Sequence, residues 1–108
     1  MNDVLYFICR NSLSIMDSWI PTPSTVIAEE LGMSVYQVRK ELKRLKELGL
    51  IASTIYCGTD EYSTYAVRGY TITDKAKGTE EYKTAYGNEE KIRRECFEMV
   101  MTNEKMYK

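Results

Sequence analysis

The sequence predicts an α+β fold that is mainly α-helical, and three observations support this prediction. Apolar side chains recur at helical spacing from Asn2 to Leu48, interrupted by short breaks. The period then changes to two between Ile51 and Thr73, which is typical of antiparallel strands. Helical spacing returns after Asp74. The expected order is therefore a core of three helices, a two-stranded β-hairpin, and one or two C-terminal helices.

Composition fits a single folded domain over residues 1–108. The chain has 108 residues, 44% of them apolar and 29% charged, which argues against disorder. The longest apolar run near the start, residues 4–9, is too short to span a bilayer and lacks the flanks of a signal peptide. We therefore expect a cytoplasmic protein with no membrane segment.

The chain contains no histidine, and its cysteines lie far apart at Cys9, Cys57 and Cys96. This pattern excludes the usual zinc motifs, so no metal or other cofactor is expected. The simplest interpretation is three buried or half-buried free thiols. A redox-sensing thiol is the alternative, and Cys57 is its best candidate because it lies near a predicted loop.

The first helix is predicted over residues 2–15, with an apolar face of Val4, Leu5 and Ile8. Trp19 and Ile20 are expected to pack under the next helix. Thr22 is expected to cap that second helix and Pro23 to occupy its first position, where a missing N–H costs nothing. Gly32 ends the helix, and its buried stripe is expected to consist of Val26, Ile27, Ala28 and Leu31.

The third helix is predicted to begin at Ser34 and to end before Gly49. Gln37 lies three residues after Ser34, which completes a capping-box pattern. The core-facing positions recur at helical spacing: Val35, Val38, Leu42 and Leu45.

Two strands follow, joined by a turn over residues 58–61. The second strand is predicted over residues 65–73. Its alternation loses phase at Gly69, which suggests a β-bulge. Farther on, Gly78 interrupts the returning helical pattern, and Gly87-Asn88 is expected to stop one helix and start the last one.

This element order, together with three segments, resembles the winged helix-turn-helix DNA-binding domain of bacterial transcriptional regulators. The segments are IAEELGMS (27–34), LKRLKELGLI (42–51) and GYTITDK (69–75). The resemblance covers residues 18–78 and leaves 79–108 as a C-terminal helical extension. It implies a homodimer on double-stranded DNA, with residues 34–48 as the recognition helix in the major groove.

The predicted recognition helix carries a local excess of positive charge although the whole chain has a net charge of −1. Between residues 34 and 49, five cations stand against two acids, a balance of +3: Arg39, Lys40, Lys43, Arg44 and Lys46 against Glu41 and Glu47. Such a face can also be merely solvated. The preceding turn and capped helix favour DNA.

The position of a residue along the helix determines whether we expect it to contact bases or phosphates. Tyr36, Gln37 and Lys40 are candidates for base contacts, since Gln can pair with adenine and Lys with guanine. Candidates for phosphate contacts are Ser34, Lys43 and Arg44. Arg68 is the remaining wing cation and the wing's candidate for DNA binding. Two residues keep alternatives open: Gln37 could instead complete the cap, and Arg39 could form either a salt bridge or a phosphate contact.

The wing and the last helix suggest protein contacts. The wing tip carries Asp60 and Glu61, which phosphate repels, so the wing is expected either to contact DNA weakly or to meet a protein partner instead. The last helix carries an apolar stripe that could cover the domain's own core, whereas the resemblance implies that it mediates dimerisation: Ile92, Cys96, Phe97, Met99 and Val100. The alternative to a regulator is a winged-helix interaction module in a replication or phage-type assembly. No enzyme is expected, since nucleophile motifs and phosphate loops are lacking.

Overall fold

The computed structural model describes residues 1–13, 21–59 and 61–106. The elements follow the predicted order: α1 (Asp3–Leu13), α2 (Ser24–Leu31), α3 (Val35–Glu47), β1 (Ile51–Thr59), β2 (Thr64–Ile72), a 3₁₀ helix (Asp74–Gly78) and α4 (Glu80–Met106). Trp19 and Ile20 lie outside the described residues. Within the described ranges, no helix is both long and apolar enough to cross a membrane.

One hydrophobic core joins the four α-helices and the first strand. The predicted inner faces of the first and third helices are confirmed, because all of their central residues are buried: Val4, Leu5 and Ile8 on α1, and Val38, Leu42 and Leu45 on α3. Ile27, Ile51 and Ala85 add contributions from α2, β1 and α4. Val35 is only partly buried and packs at the edge of this core.

The start of α2 differs from the prediction, because Thr22 does not cap the helix. Thr22 is buried and forms an isolated β-bridge with Tyr70 of β2. Its N–H donates to the Tyr70 carbonyl at 3.2 Å, and the Tyr70 N–H donates back at 3.0 Å. Pro23 takes the N-cap position without a side-chain hydrogen bond. The pairing of Thr22 with the sheet therefore replaces its local capping role.

The turn between α2 and α3 forms as predicted. Gly32 adopts φ 64°, the left-handed conformation that favours glycine at a helix end. Of the stripe predicted for α2, Ile27 and Ala28 are buried, Leu31 is half-buried and Val26 is exposed. The buried side of this short helix is therefore narrower than predicted.

The strands form a regular antiparallel ribbon, from the pair Ile51–Ile72 at its base to Thr59–Thr64 at its tip. The predicted bulge is wrong, since Gly69 pairs in unbroken register with Thr54. Glycine is required there for another reason. A side chain at Gly69 would come within 2.5 Å of the Pro21 carbonyl carbon. The strands also continue through Gly58, so the turn lies beyond Thr59.

Helix α4 runs parallel to α1 and is not interrupted at Gly87-Asn88, contrary to the prediction. Three hydrogen bonds follow α1 from start to end: Asn2 N–H to Glu81, Asn88 Nδ2 to the Tyr6 hydroxyl, and Arg93 Nη2 to the Leu13 carbonyl. This packing offsets the cost of about 1 kcal/mol that an interior glycine imposes on a helix. Asn88 therefore acts in a tertiary contact and not as a cap.

Candidate nucleic-acid interface

Helix α3 separates a buried apolar side from an exposed polar side. Val38, Leu42 and Leu45 fix its rotation, since they are at most 1% exposed. The opposite side presents Tyr36, which is 76% exposed, and the exposed Lys40 and Lys43. This burial pattern leaves the cationic face of the helix in solvent.

Every residue that the sequence nominated for DNA contact is exposed: Ser34, Tyr36, Gln37, Arg39, Lys40, Lys43, Arg44 and Arg68. The cations of α3 among them differ in ion pairing, since Arg44 is paired with Glu41. Within the described part of the chain, no ion pair or hydrogen bond engages Arg39, Lys40 or Lys43. These three charges can therefore meet an external anion without breaking an internal contact.

The structure answers the question left open for Gln37. The Ser34 hydroxyl oxygen accepts from the Gln37 N–H at 3.1 Å, and Gln37 Oε1 accepts from the Ser34 N–H at 3.3 Å. Both halves of the capping box are therefore present. Base reading by Gln37 would require its side chain to leave the cap, so Tyr36 and Lys40 are the better candidates for base contacts.

The sequence left open whether Arg39 forms a salt bridge. Among the residues that the structure describes, the salt bridge of α3 forms at Arg44 and none forms at Arg39. Arg44 Nη2 lies 2.6 Å and Nε 3.0 Å from Glu41 Oε1. The Arg44 hydrogen bond is the main reason that the pKa of Glu41 falls below its usual range, and a hydrogen bond from Asn2 adds to the effect. Glu41 therefore stays ionised and holds Arg44 at the edge of the cationic face.

A cleft of about 570 Å³ brings Arg39 of α3 and Arg68 of β2 to its walls. Ser24 and Thr25, in the first turn of α2, also line it. Because Pro23 offers no side-chain cap, the first amides of α2 lack the acceptor that such a cap supplies. Two arginines and the first turn of a helix line this cleft, a combination suited to an anion.

Sequence reasoning did not identify Ser24 and Thr25, although a local signal existed. The segment Pro23-Ser24-Thr25 opens a helix with a residue that cannot cap it, which leaves the amides of the first turn available. The sequence gives no comparable signal that Arg39 and Arg68 line the same cleft, because this depends on how β2 packs relative to α2 and α3.

The distal half of the wing lies away from the core. Tyr62 is 93% and Tyr65 42% exposed. Ile55 is 60% exposed on the neighbouring strand. Strands of nine residues extend about 30 Å, and helices cover only their base. Tyr70, near that base, is partly buried against the core.

The cysteines occupy different environments, so the expectation that all three are at least half-buried is wrong. Cys9 is buried, whereas Cys57 and Cys96 are exposed. Burial, and to a lesser degree the charge of Glu81, raises the pKa of the Cys9 thiol to about 12. Cys9 is therefore a packing residue. Among the described residues, no group of three potential metal ligands was found.

The second half of α4 projects an apolar surface into solvent. The residues nominated for dimerisation are all exposed: Ile92, Cys96, Phe97, Met99 and Val100. All but Ile92 follow Arg93, whose Nη2 donates to the carbonyl of Leu13, the last residue of α1. The first half of α4 instead covers the core through Ala85 and Tyr82. The C-terminal extension is thus part core and part free surface.

Comparison with known proteins gives structural likenesses only. No family model and no curated protein matches the chain. The solved structure of wild-type Lactococcus lactis ZitR in complex with DNA is 24% identical, with a TM-score of 0.51, over 89% of this chain and 60% of that one. A ZitR variant is 20% identical, with a TM-score of 0.52, over 95% and 61%.

A variant of Staphylococcus aureus MepR is 16% identical, with a TM-score of 0.50, over 98% of this chain and 72% of that one. The chain thus spans about three fifths of the length of these ZitR chains. ZitR and MepR are winged-helix proteins, and the chain has the same fold. The predicted winged helix, with its three-helix core and two-stranded wing, is therefore confirmed.

Proposed function

We propose that this protein binds double-stranded DNA sequence-specifically and regulates transcription. The observation that carries the proposal is the exposed face of α3, where Lys40 and Lys43 stand free beside Tyr36 on a helix whose rotation is fixed by the core. A cationic helix of this kind fits the major groove. The likeness to a ZitR structure solved with DNA supports the same conclusion. Such a protein would act in the cytoplasm.

Roles follow from position. Tyr36 and Lys40, in the first turns of α3, approach base edges, whereas Lys43 and Arg44 meet the backbone. The cleft between α2 and β2 takes a second phosphate through Arg39 and Arg68, with the α2 amides as further donors. The wing tip receives no DNA role, since the exposed Glu61 repels phosphate.

A selection from a random pool of duplex DNA at low salt tests this function. We expect recovery of a common motif and a binding constant that falls with salt at a log–log slope of about −0.9 for each phosphate neutralised. Equal recovery of all sequences would contradict sequence specificity. No retardation of any duplex at low salt would contradict DNA binding altogether.

We further propose that two copies pair through the free surface of α4. A single recognition helix makes a small interface, and a twofold dimer doubles it on a palindromic site. The unpaired surface has the apolar character that homodimer interfaces share, with Phe97 65% and Met99 66% exposed in the single chain. α4 extends about 40 Å, so it reaches well beyond the core.

Alkylation of Cys96 at increasing protein concentration tests this pairing, with Cys57 as an internal control. Both thiols are exposed in the single chain, whereas Cys9 is buried. We expect the rate at Cys96 to fall as dimer forms while the rate at Cys57 stays constant, and we expect Cys9 to react only after unfolding. Mass spectrometry of the adducts reads all three sites. Equal rates for Cys96 and Cys57 at every concentration would exclude Cys96 from the interface.

A further inference from the structure

Asn2 joins three helices at one end of the core. Its Oδ1 accepts from the Leu5 N–H at 2.9 Å, which caps α1. Its side-chain amide donates to Glu41 of α3, and its backbone N–H donates to Glu81 of α4 at 2.9 Å. A single residue therefore ties the start of α1 both to the recognition helix and to α4.

One oxygen of Glu41 receives donors from two sides. Glu41 Oε1 accepts from Asn2 Nδ2 and also from Nε and Nη2 of Arg44. The Glu41 side chain is 25% exposed, while that of Arg44 is 58% exposed. The carboxylate is thus the inner, fixed partner of the pair, and the guanidinium is the outer one.

Arg44 retains donors for an external ligand. An arginine side chain has five N–H groups in a planar fork. Glu41 engages one on Nε and one on Nη2, which leaves both groups on Nη1 and one on Nη2. Phosphate recognition by such a fork depends on its orientation as well as its charge.

We propose that Asn2 is a positioning residue for the DNA backbone contact made by Arg44, acting through the Glu41 carboxylate. This inference rests on the proposed DNA-binding function and specifies how one of its phosphate contacts is oriented. The DNA affinity of α3 then depends on how α1 packs against α3. Asn2, the residue that links these two helices, also binds α4 through Glu81.

A double-mutant cycle between Asn2 and Arg44 tests the inference. Asn2→Ser keeps a capping side chain on α1 but is too short to hold Glu41. We expect Asn2→Ser to weaken DNA binding by about twofold or more, and to have no further effect once Arg44→Ala is present. Equal losses in both backgrounds would overturn the inference. If the wild-type protein itself binds no duplex DNA, the proposed function is overturned instead.

The sign of the effect of Glu41→Gln gives a second test. If Glu41 only added negative charge near phosphate, its removal would strengthen binding. If it orients Arg44, binding weakens despite the removed charge. Glu47→Gln is the matched control, since Glu47 is an exposed acid of the same helix, and it should strengthen binding. Tighter binding by both variants would overturn the inference.

Nuclear magnetic resonance of the Arg44 Nε–H group reports on the junction without DNA. In the wild-type protein this group is hydrogen-bonded to Glu41, so we expect a resolved signal protected from solvent exchange. Asn2→Ser should increase its exchange rate. An unchanged signal in a folded Asn2→Ser protein would show that Asn2 does not position Arg44.

Discussion

Alanine at Lys40 and Lys43 should produce the largest loss of DNA binding. Both ammonium groups are exposed on α3 and are unpaired within the described part of the chain. We expect Lys43→Ala to weaken binding to all duplexes and to reduce the magnitude of the salt slope by about 1, as for a lost phosphate contact. Lys40→Ala should cost about 1–3 kcal/mol on the preferred site alone, as for a lost base contact. Fluorescence anisotropy across a salt series measures both effects.

Lys83→Ala is the matched control, because Lys83 is an exposed lysine that belongs to α4 and not to α3. It should leave the affinity and the salt slope close to those of the wild type. A triple variant without Tyr36, Lys40 and Lys43 is the strictest case. Undiminished binding of the preferred site by that variant would exclude α3 from the major groove.

A methyl group at Gly69 should produce a large loss of stability. The new carbon of Gly69→Ala would lie 2.5 Å from the Pro21 carbonyl carbon and 2.7 Å from its oxygen. Backbone cannot yield as a flexible side chain can, so the segment before α2 must separate from β2. We expect a loss of about 1–3 kcal/mol in the free energy of unfolding, the usual size for overpacking. Urea denaturation followed by circular dichroism measures it.

Gly87→Ala provides a control of opposite sign. A methyl group there would meet no atom within 4 Å, and the position lies inside α4. Alanine should stabilise the helix by about 1 kcal/mol. If Gly69→Ala proves as harmless as Gly87→Ala, the contact between Pro21 and β2 does not constrain the fold.

The features predicted correctly from sequence depend on neighbours in the chain. Ser34 and Gln37 form a capping box because a side chain three residues away reaches the cap. Gly32 ends α2 for the equally local reason that a left-handed residue is needed. The exposure of Lys40 and Lys43 followed from the helical spacing of apolar residues.

The wrong predictions concern residues whose structure is decided by distant partners. Gly69 resembled a bulge, but its role is set by Pro21, and Thr22 pairs with Tyr70 instead of capping its own helix. Gly87 resembled a helix stop, but α1 supports α4 across it. The exposure of the nominated contact residues could be predicted from sequence. The link from Asn2 to Arg44 could not, since it joins helices that are far apart in the chain.

The reciprocal hydrogen bonds between Thr22 and Tyr70 have a thermodynamic consequence for ligand binding. They tie the segment before α2 to the strand that carries Arg68, so two walls of the cleft that we propose binds phosphate keep a fixed separation. A phosphate entering this cleft does not need to order a loop. The conformational entropy of the residues that line the cleft is lost when the protein folds and not when phosphate binds. A larger part of the free energy of the phosphate contacts therefore contributes to affinity.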